Sequence, residues 1–265
     1  MASLNVLRSL TAKSRRLLLY LRLNGFRWTA NFLLHYLLGP RTKVFDRRMA
    51  RLEARYGLPG LHSIRQNYEA WQNYNWEEGG EEWTVSPEWK RALIDEVLLR
   101  YIERGKTVLE IGPGAGRWTQ ALQKISKQLI LVDISDCCIE LCKKRFSHCN
   151  HIQFFVNEGR SLTFIPDESV DSIWSFAAFI HISPPDTESY LKEFHRILKK
   201  GGRAVINHPK AGSERGEWRS RVTTELFAQM VRNHKLAVIR QLDSWGDRGQ
   251  FTLKEDGDML TVFEK

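Results

Sequence analysis

The sequence predicts an α/β chain built on a doubly wound, mainly parallel sheet. Short apolar runs alternate with helix-like segments from Thr107 to Leu242, the pattern of parallel strands whose crossovers cover both sheet faces. The first run opens directly into a loop with glycine at alternate positions, VLEIGPGAG over Val108–Gly116. A second run, Leu129–Asp133, ends in an acid seventeen residues beyond Gly116. At 265 residues the chain has room for one such domain plus an extension and buries a full core without staples.

The charge is uneven. Residues 1–60 hold twelve Lys/Arg against two acids, whereas the remainder holds 28 against 29. The basic character belongs to the N-terminus, which argues against a broad nucleic-acid-binding face on the domain. Residues 4–38 mix leucine and aromatics with Arg15, Arg16, Arg22 and Arg27. They lack the uninterrupted apolar core of a signal peptide, and the charge-free stretch Trp28–Pro40, thirteen residues, is too short to span a bilayer. A basic amphipathic segment of this kind lies in a membrane interface, packs on the domain or a second copy of the chain, or stays disordered or in contact with RNA; the sequence leaves these open. Gly39-Pro40 marks a helix stop, and Thr42–Tyr56 is the next helix. Residues 1–60 are thus a basic, amphipathic, helical extension.

Asn67–Trp89 is dense in aromatics, with Gly79-Gly80 and the acids Glu77, Glu78, Glu81 and Glu82 among them. Ser86-Pro87-Glu88 reads as an N-cap followed by Pro in the first helical turn, starting a helix to about Arg104. The strands follow at Thr107–Ile111, Gln128–Asp133, Ile152–Val156, Val170–Ser175, Arg203–Asn207 and Leu236–Leu242. Helices are expected over Arg117–Ile125, from Ser135 to Arg145, over Asp186–Lys199 (ended by Gly201-Gly202) and over Ser220–Asn233. Gln250–Leu253 and Asp258–Phe263 are two further β-like runs. Cys137, Cys138, Cys142 and Cys149 form no CxxC pair and have no clustered His, so they read as reduced thiols of a reducing compartment, and no metal is required.

Glycines at alternate positions let backbone approach a ligand closely, and an acid closing the second strand suits ribose hydroxyls. The spacing E-x-G-x-G-x-G, from Glu110 to Gly116, differs from the dinucleotide fingerprint G-x-G-x-x-G. An acid inside the motif repels a pyrophosphate and favours a cationic ligand. On these residues the chain, from about Val85 onward, resembles the class I S-adenosylmethionine (SAM)-dependent methyltransferases, whose ligand carries a sulfonium and an ammonium.

The resemblance implies a seven-stranded sheet whose antiparallel last strand inserts between strands 5 and 6; Asp258–Phe263 is the candidate. Residues 105–265 become the SAM-binding domain and 61–104 an aromatic lid with a lead-in helix, Trp83 being the preferred lid residue. Simple hydrophobic packing is the other reading of those aromatics. The expected cofactor set is Glu110, Gly112, Pro113, Gly114 and Gly116 on the first loop, Asp133 for ribose, Ile134 against the adenine face, and Glu158 with Gly159 near its amino group. Family members more often carry Asp-Ala where this chain has Glu158-Gly159.

Methyl transfer to a hydroxyl needs a base, a role suited to His near neutral pH. His181, after strand 4, is the first candidate and His208, after strand 5, the second; each competes with a structural reading, and mid-helix His195 reads as structural. The loop after strand 4, Ser-Phe-Ala-Ala-Phe, lacks the [Asn/Asp]-Pro-Pro-[Tyr/Phe] motif of nucleic-acid amino-methyltransferases. The chain looks most like enzymes that O-methylate glycans, glycolipids or small hydroxylated metabolites. Trp118, Trp174, Trp218 and Trp245 are candidate stacking surfaces for a sugar ring, or ordinary packing. N-methylation of a small molecule or lipid headgroup, and a non-catalytic methyltransferase-like subunit, are the alternatives. No nucleic-acid partner is expected. A cytoplasmic location, peripheral at the inner membrane surface through residues 1–40, and a homodimer are further expectations.

Overall fold

In β1 (Thr107–Ile111) every residue after Thr107 is buried, as a strand covered on both faces demands. Val108 enters one apolar cluster and Leu109 the other, because successive side chains point to opposite faces. The computed structural model describes residues 2–39, 43–211, 219–253 and 257–265; Pro40, Thr42 and Trp218, singled out above, lie outside them.

The remaining strands are β2 (Gln128–Asp133), β3 (Ile152–Val156), β4 (Val170–Ser175), β5 (Leu198–Pro209), β6 (Ala237–Leu242), the short pair β7 (Ser244–Trp245) and β8 (Phe251–Thr252), and β9 (Asp258–Glu264). Seven of them form one sheet in the order β3-β2-β1-β4-β5-β9-β6. β9 runs antiparallel to both neighbours, at the place the sequence assigned to Asp258–Phe263. β1 and β4 run parallel, and the strand order reverses between them, which opens a crevice at their C-terminal ends.

The domain helices are α3 (Ile64–Gln72), α4 (Pro87–Leu93), which passes through a π-turn (Ile94–Leu98) into α5 (Leu99–Tyr101), α6 (Thr119–Leu122), α7 (Asp136–Arg145), α8 (Pro184–Ile197) and α9 (Thr224–Asn233). Side chains of Ser86, Ser135, Ser183 and Thr223 cap α4, α7, α8 and α9. The expected helix over Arg117–Ile125 shrinks to the four residues of α6. Gly201-Gly202 does not end α8: that helix stops at Ile197, and both glycines lie within β5. A Cβ on Gly202 would stand 2.9 Å from the Lys199 carbonyl and 3.0 Å from that of Asp171, where the β4–β5 register shifts.

The extension comprises α1 (Ala2–Leu38) and α2 (Lys43–Tyr56). Gly25, at φ 76°, interrupts α1. The two helices share a small core of Tyr20, Trp28 and Met49, in which Trp28 Nε1 donates to Glu53 Oε1 at 2.6 Å. Arg221, before α9, pairs with Asp46 and Glu53 and fastens α2 to the domain. On the other side Phe26, Tyr36 and Leu37 are exposed by 77, 68 and 75%. Among the described residues no helix is long and apolar enough to cross a membrane.

Candidate active site

The crevice at the β1/β4 switch point holds a cavity of about 700 Å³, the size of a small-molecule site. Its floor is the loop after β1. Gly112, Gly114 and Gly116 have φ of 70°, 56° and 90°, a region that favours glycine. What each glycine faces is a side chain of this protein. A Cβ on Gly112 would stand 2.5 Å from Ala178 Cβ, one on Gly114 2.8 Å from the Trp76 ring, and one on Gly116 2.5 Å from the Phe146 ring. Gly112, Pro113 and Gly114 line the cavity; Gly116 does not, since it is closed over by the end of α7.

Asp133 lines the cavity at the end of β2. Its Oδ1 accepts the Ser135 N–H at 2.9 Å and its Oδ2 the Gly114 N–H at 3.3 Å. Burial pushes its pKa up to about 6 against these stabilising bonds, so it is ionised at neutral pH with lone pairs left for hydroxyl donors. Ile134 and Gly159 form the next stretch of wall. A Cβ at Gly159 would meet Ile64 at 2.9 Å and Ile134 at 3.1 Å, so the glycine lets these two apolar side chains pack onto it, and all three line the cavity. Glu158 is exposed and does not line the cavity; the expectation that its carboxylate reads a ligand there passes to the backbone around Gly159. Buried Asn157 holds that turn, accepting from the Gly159 N–H at 3.2 Å and donating to Tyr190 Oη at 2.9 Å.

Glu110 departs further from expectation. It is buried, accepts the Thr119 hydroxyl at 2.6 Å and does not line the cavity. Burial, with the charge of Asp133 nearby, pushes its pKa up to about 8. A mostly protonated acid beneath the loop is a structural group, and Glu69, Asp133 and Asp186 are the carboxylates that line the cavity among the described residues.

The roof comes from residues 61–104. Trp71, Tyr74, Trp76 and Trp83 pack on one another with ring centroids 5.0–6.1 Å apart, and all four line the cavity. Trp83 is 43% exposed; Trp76, which the sequence did not single out, is the ring seated on Gly114. α3 starts with a reciprocal capping box between Ser63 and Gln66. It spans the crevice: Gln72 Oε1 accepts from Ser135 Oγ at 2.8 Å on the α7 side, and Asn67 Nδ2 donates to the His181 carbonyl at 2.8 Å on the other.

His181 lines the cavity with its ring 5.0 Å from that of Trp71. His208 does not reach it. β5 extends to Pro209, so His208 is an interior strand residue rather than part of the loop beyond. It is fully buried, stacked 4.0 Å from Phe227 and bonded to Thr261 Oγ1 at 2.7 Å. Burial pulls its pKa down to about 4, and it is a core histidine. Trp174 and Trp245 are likewise core, while Trp118 is buried yet touches the cavity. The sequence also missed Arg117, Asp186 and Tyr190 as lining residues; only Arg117, directly after the third glycine, carried a local signal. All four cysteines are free thiols, and burial raises those of Cys138 and Cys142.

A carboxylate at a strand end, an apolar wall beside it and a glycine backbone leading away fit the ribose, adenine and amino-acid parts of SAM. Comparisons agree. Residues 108–202 match the family described as a methyltransferase domain. An uncharacterised methyltransferase of Anoxybacillus flavithermus is 30% identical over 114 residues, 42% of this chain and 51% of that one. A ubiquinone/menaquinone biosynthesis C-methyltransferase of an Enterobacter species is 26% identical over 124 residues, 44% and 47% of the two chains. Phosphoethanolamine N-methyltransferase 3 of Arabidopsis thaliana is 31% identical over 99 residues, 37% and 20%. The chain thus spans about half the length of the first two relatives, at 51% and 47%, and 20% of the third. A TehB-like SAM-dependent methyltransferase of Corynebacterium glutamicum shares the fold at TM-score 0.56 and 21% identity, over 74% of this chain and 97% of that one. Residues 108–202 thus match a methyltransferase domain, and the sheet order and glycine loop around them are those of the SAM-dependent methyltransferase fold.

Proposed function

We propose that this protein transfers the methyl group of SAM to an oxygen of a glycan, glycolipid or small hydroxylated metabolite. The observation that carries the reading is the presence of His181 and Asp133 in one cavity. SAM supplies an already activated methyl, so the protein's main task is positioning. Asp133 would accept from the ribose hydroxyls, and the apolar wall of Ile64 and Ile134 would take the adenine. The aromatic roof excludes water from the reacting end. His181 takes the hydroxyl proton as the acceptor oxygen bonds to the methyl carbon and the carbon–sulfur bond breaks; its ring is held beside Trp71, and its backbone is tied to Asn67. The test is an acceptor screen with labelled SAM, followed by His181→Ala. A fall in turnover of roughly 10²–10⁴-fold at saturating acceptor is expected of a lost general base; near-normal turnover removes that role.

A second reading, N-methylation of a small molecule or lipid headgroup, is favoured by the four-ring roof, since aromatic faces attract cations, and by the acids Glu77, Glu78, Glu81 and Glu82 that interleave it. The same screen separates the two by the atom labelled. In a non-catalytic subunit, SAM is bound without turnover of any acceptor.

We infer in addition that the extension holds the enzyme against an anionic membrane surface. Exposed Phe26, Tyr36 and Leu37 lie on a helix that also carries Arg22 and Arg27, in a segment with a surplus of ten positive charges. Apolar side chains enter the headgroup region while basic ones meet the lipid phosphates. Flotation with vesicles of mixed neutral and anionic lipid should carry the full chain and lose it when Phe26, Tyr36 and Leu37 are changed to Ser. Equal partitioning rejects the inference; dimerisation through the same face would show as a change in mass by light scattering.

A further inference from the structure

Arg117 is a buried cation that the fold leaves incompletely partnered. It is 5% exposed, it lines the cavity, and its guanidinium lies 4.9 Å from the Trp118 ring centre and 5.5 Å from that of Phe176. Burial lowers its pKa to about 10, so it stays protonated at neutral pH. Its Nη1 is buried without a hydrogen-bond partner among the described residues. The nearby carboxylates do not supply one. Glu81 is engaged with Lys90 at 2.5 Å and Thr84 at 2.9 Å. Glu110 is taken by Thr119. Glu82 acts on Arg117 through space and keeps its own Oε2 buried and unpartnered. A desolvated charge with an open donor is costly unless something fills it.

Its position says what that is. The nucleoside end of the crevice is at Gly159, Ile134 and Asp133, on the loops after β3 and β2. Arg117 is at the other end, past Gly112–Gly114 and against Phe176 after β4. A ligand laid along the glycine loop from Asp133 brings its far end to Arg117. For SAM that end is an amino acid, with one carboxylate and one ammonium. We propose that Arg117 Nη1 receives the α-carboxylate of the methionine portion of the cofactor, with Glu81 and Glu82 supplying the negative potential that favours the neighbouring ammonium. This rests on the crevice being a SAM site.

The test compares ligands that differ only at that end. S-adenosylhomocysteine carries the carboxylate, its decarboxylated analogue lacks only that group, and methylthioadenosine lacks the whole amino acid. Calorimetry of the full-length wild type is expected to give roughly 10- to 100-fold tighter binding of S-adenosylhomocysteine than of the decarboxylated analogue, the usual effect of a hydrogen bond to a charged group. Arg117→Met should lose that factor for S-adenosylhomocysteine and bind methylthioadenosine within about twofold of wild type, which also shows that the variant is folded. Equal wild-type affinity for the carboxylated and decarboxylated ligands overturns the proposal even if the variant does not fold. So does an equal loss of affinity for all three ligands in Arg117→Met, or a loss for none, the latter leaving Arg117 to an anionic acceptor. If wild type binds neither S-adenosylhomocysteine nor methylthioadenosine, it is the cofactor reading that fails.

Discussion

Replacing Glu110 by Gln should change how stability depends on pH, and by an amount the structure sets. In the folded protein Glu110 is buried under the glycine loop and its pKa is pushed from the ordinary 4.5 to about 8, by burial first and the Asp133 charge second, with the Thr119 hydroxyl opposing. The folded state therefore holds a proton that the unfolded chain gives up. The stability this contributes is complete below about pH 4.5 and is lost as pH rises through about 8. At 1.36 kcal/mol per unit the full loss is at most about 5 kcal/mol, of which about 3 is gone by pH 7. Glu110→Gln keeps an oxygen for Thr119 and removes the titration. Its amide N–H₂ adds a local cost that does not vary with pH, so the informative quantity is the gap between the two stability curves. Unfolding of ligand-free wild type and variant by calorimetry from pH 5 to 8.5 should show wild type losing roughly 10 °C of Tm relative to Glu110→Gln, taking about 2–4 °C per kcal/mol. Parallel curves would show that Glu110 ionises normally and that its burial is relieved in solution.

Three further outcomes follow from the same geometry. Asp133 titrates near pH 6 in the folded protein, so S-adenosylhomocysteine affinity of wild type should weaken as pH falls from 7 to 5, while Asp133→Asn binds weakly at every pH; calorimetry at three pH values decides it. Gly116→Ala forces a Cβ against Phe146 at φ 90° and should lower stability by about 1–3 kcal/mol with cofactor affinity unchanged, measured by urea unfolding and calorimetry. His208→Ala opens a cavity beside Phe227 and strips Thr261 of its ring partner, so unfolding should shift by roughly 2–4 kcal/mol while KM for SAM stays at its wild-type value.

The sheet was readable because strands covered on both faces are near-continuous apolar runs, and because Ser135, Ser183 and Pro184 punctuate the helices locally. The part of the site made by backbone was readable for the same reason: Gly112 and Gly114 lie two residues apart in one loop, and Asp133 marks the end of β2. What escaped depends on which way a side chain faces in the assembled sheet. Glu110 shares the parity of Val108, so it turns under the loop toward Thr119 rather than into the crevice. His208 shares the parity of Ala204 and Ile206 and joins their core, once β5 is seen to run past Asn207. The Gly201-Gly202 pair was misread because a helix stop and a strand irregularity ask for the same residue.

The boundary drawn at residue 104 separates elements of sequence but not of function. The loop that carries His181 is held from the segment before the sheet. Asn67 Nδ2 bonds the His181 carbonyl, and the buried His62 ring reaches the backbone of both His181 and Arg219. Burial and the Arg221 charge draw the His62 pKa down to about 4, so this anchor stays neutral across the physiological range and adds no charge next to His181. The same helix that meets the loop grips α7 through Gln72. Moving α3 would therefore release the roof, the His181 loop and the α7 edge of the crevice together, so the cavity's opening and the position of His181 are mechanically coupled.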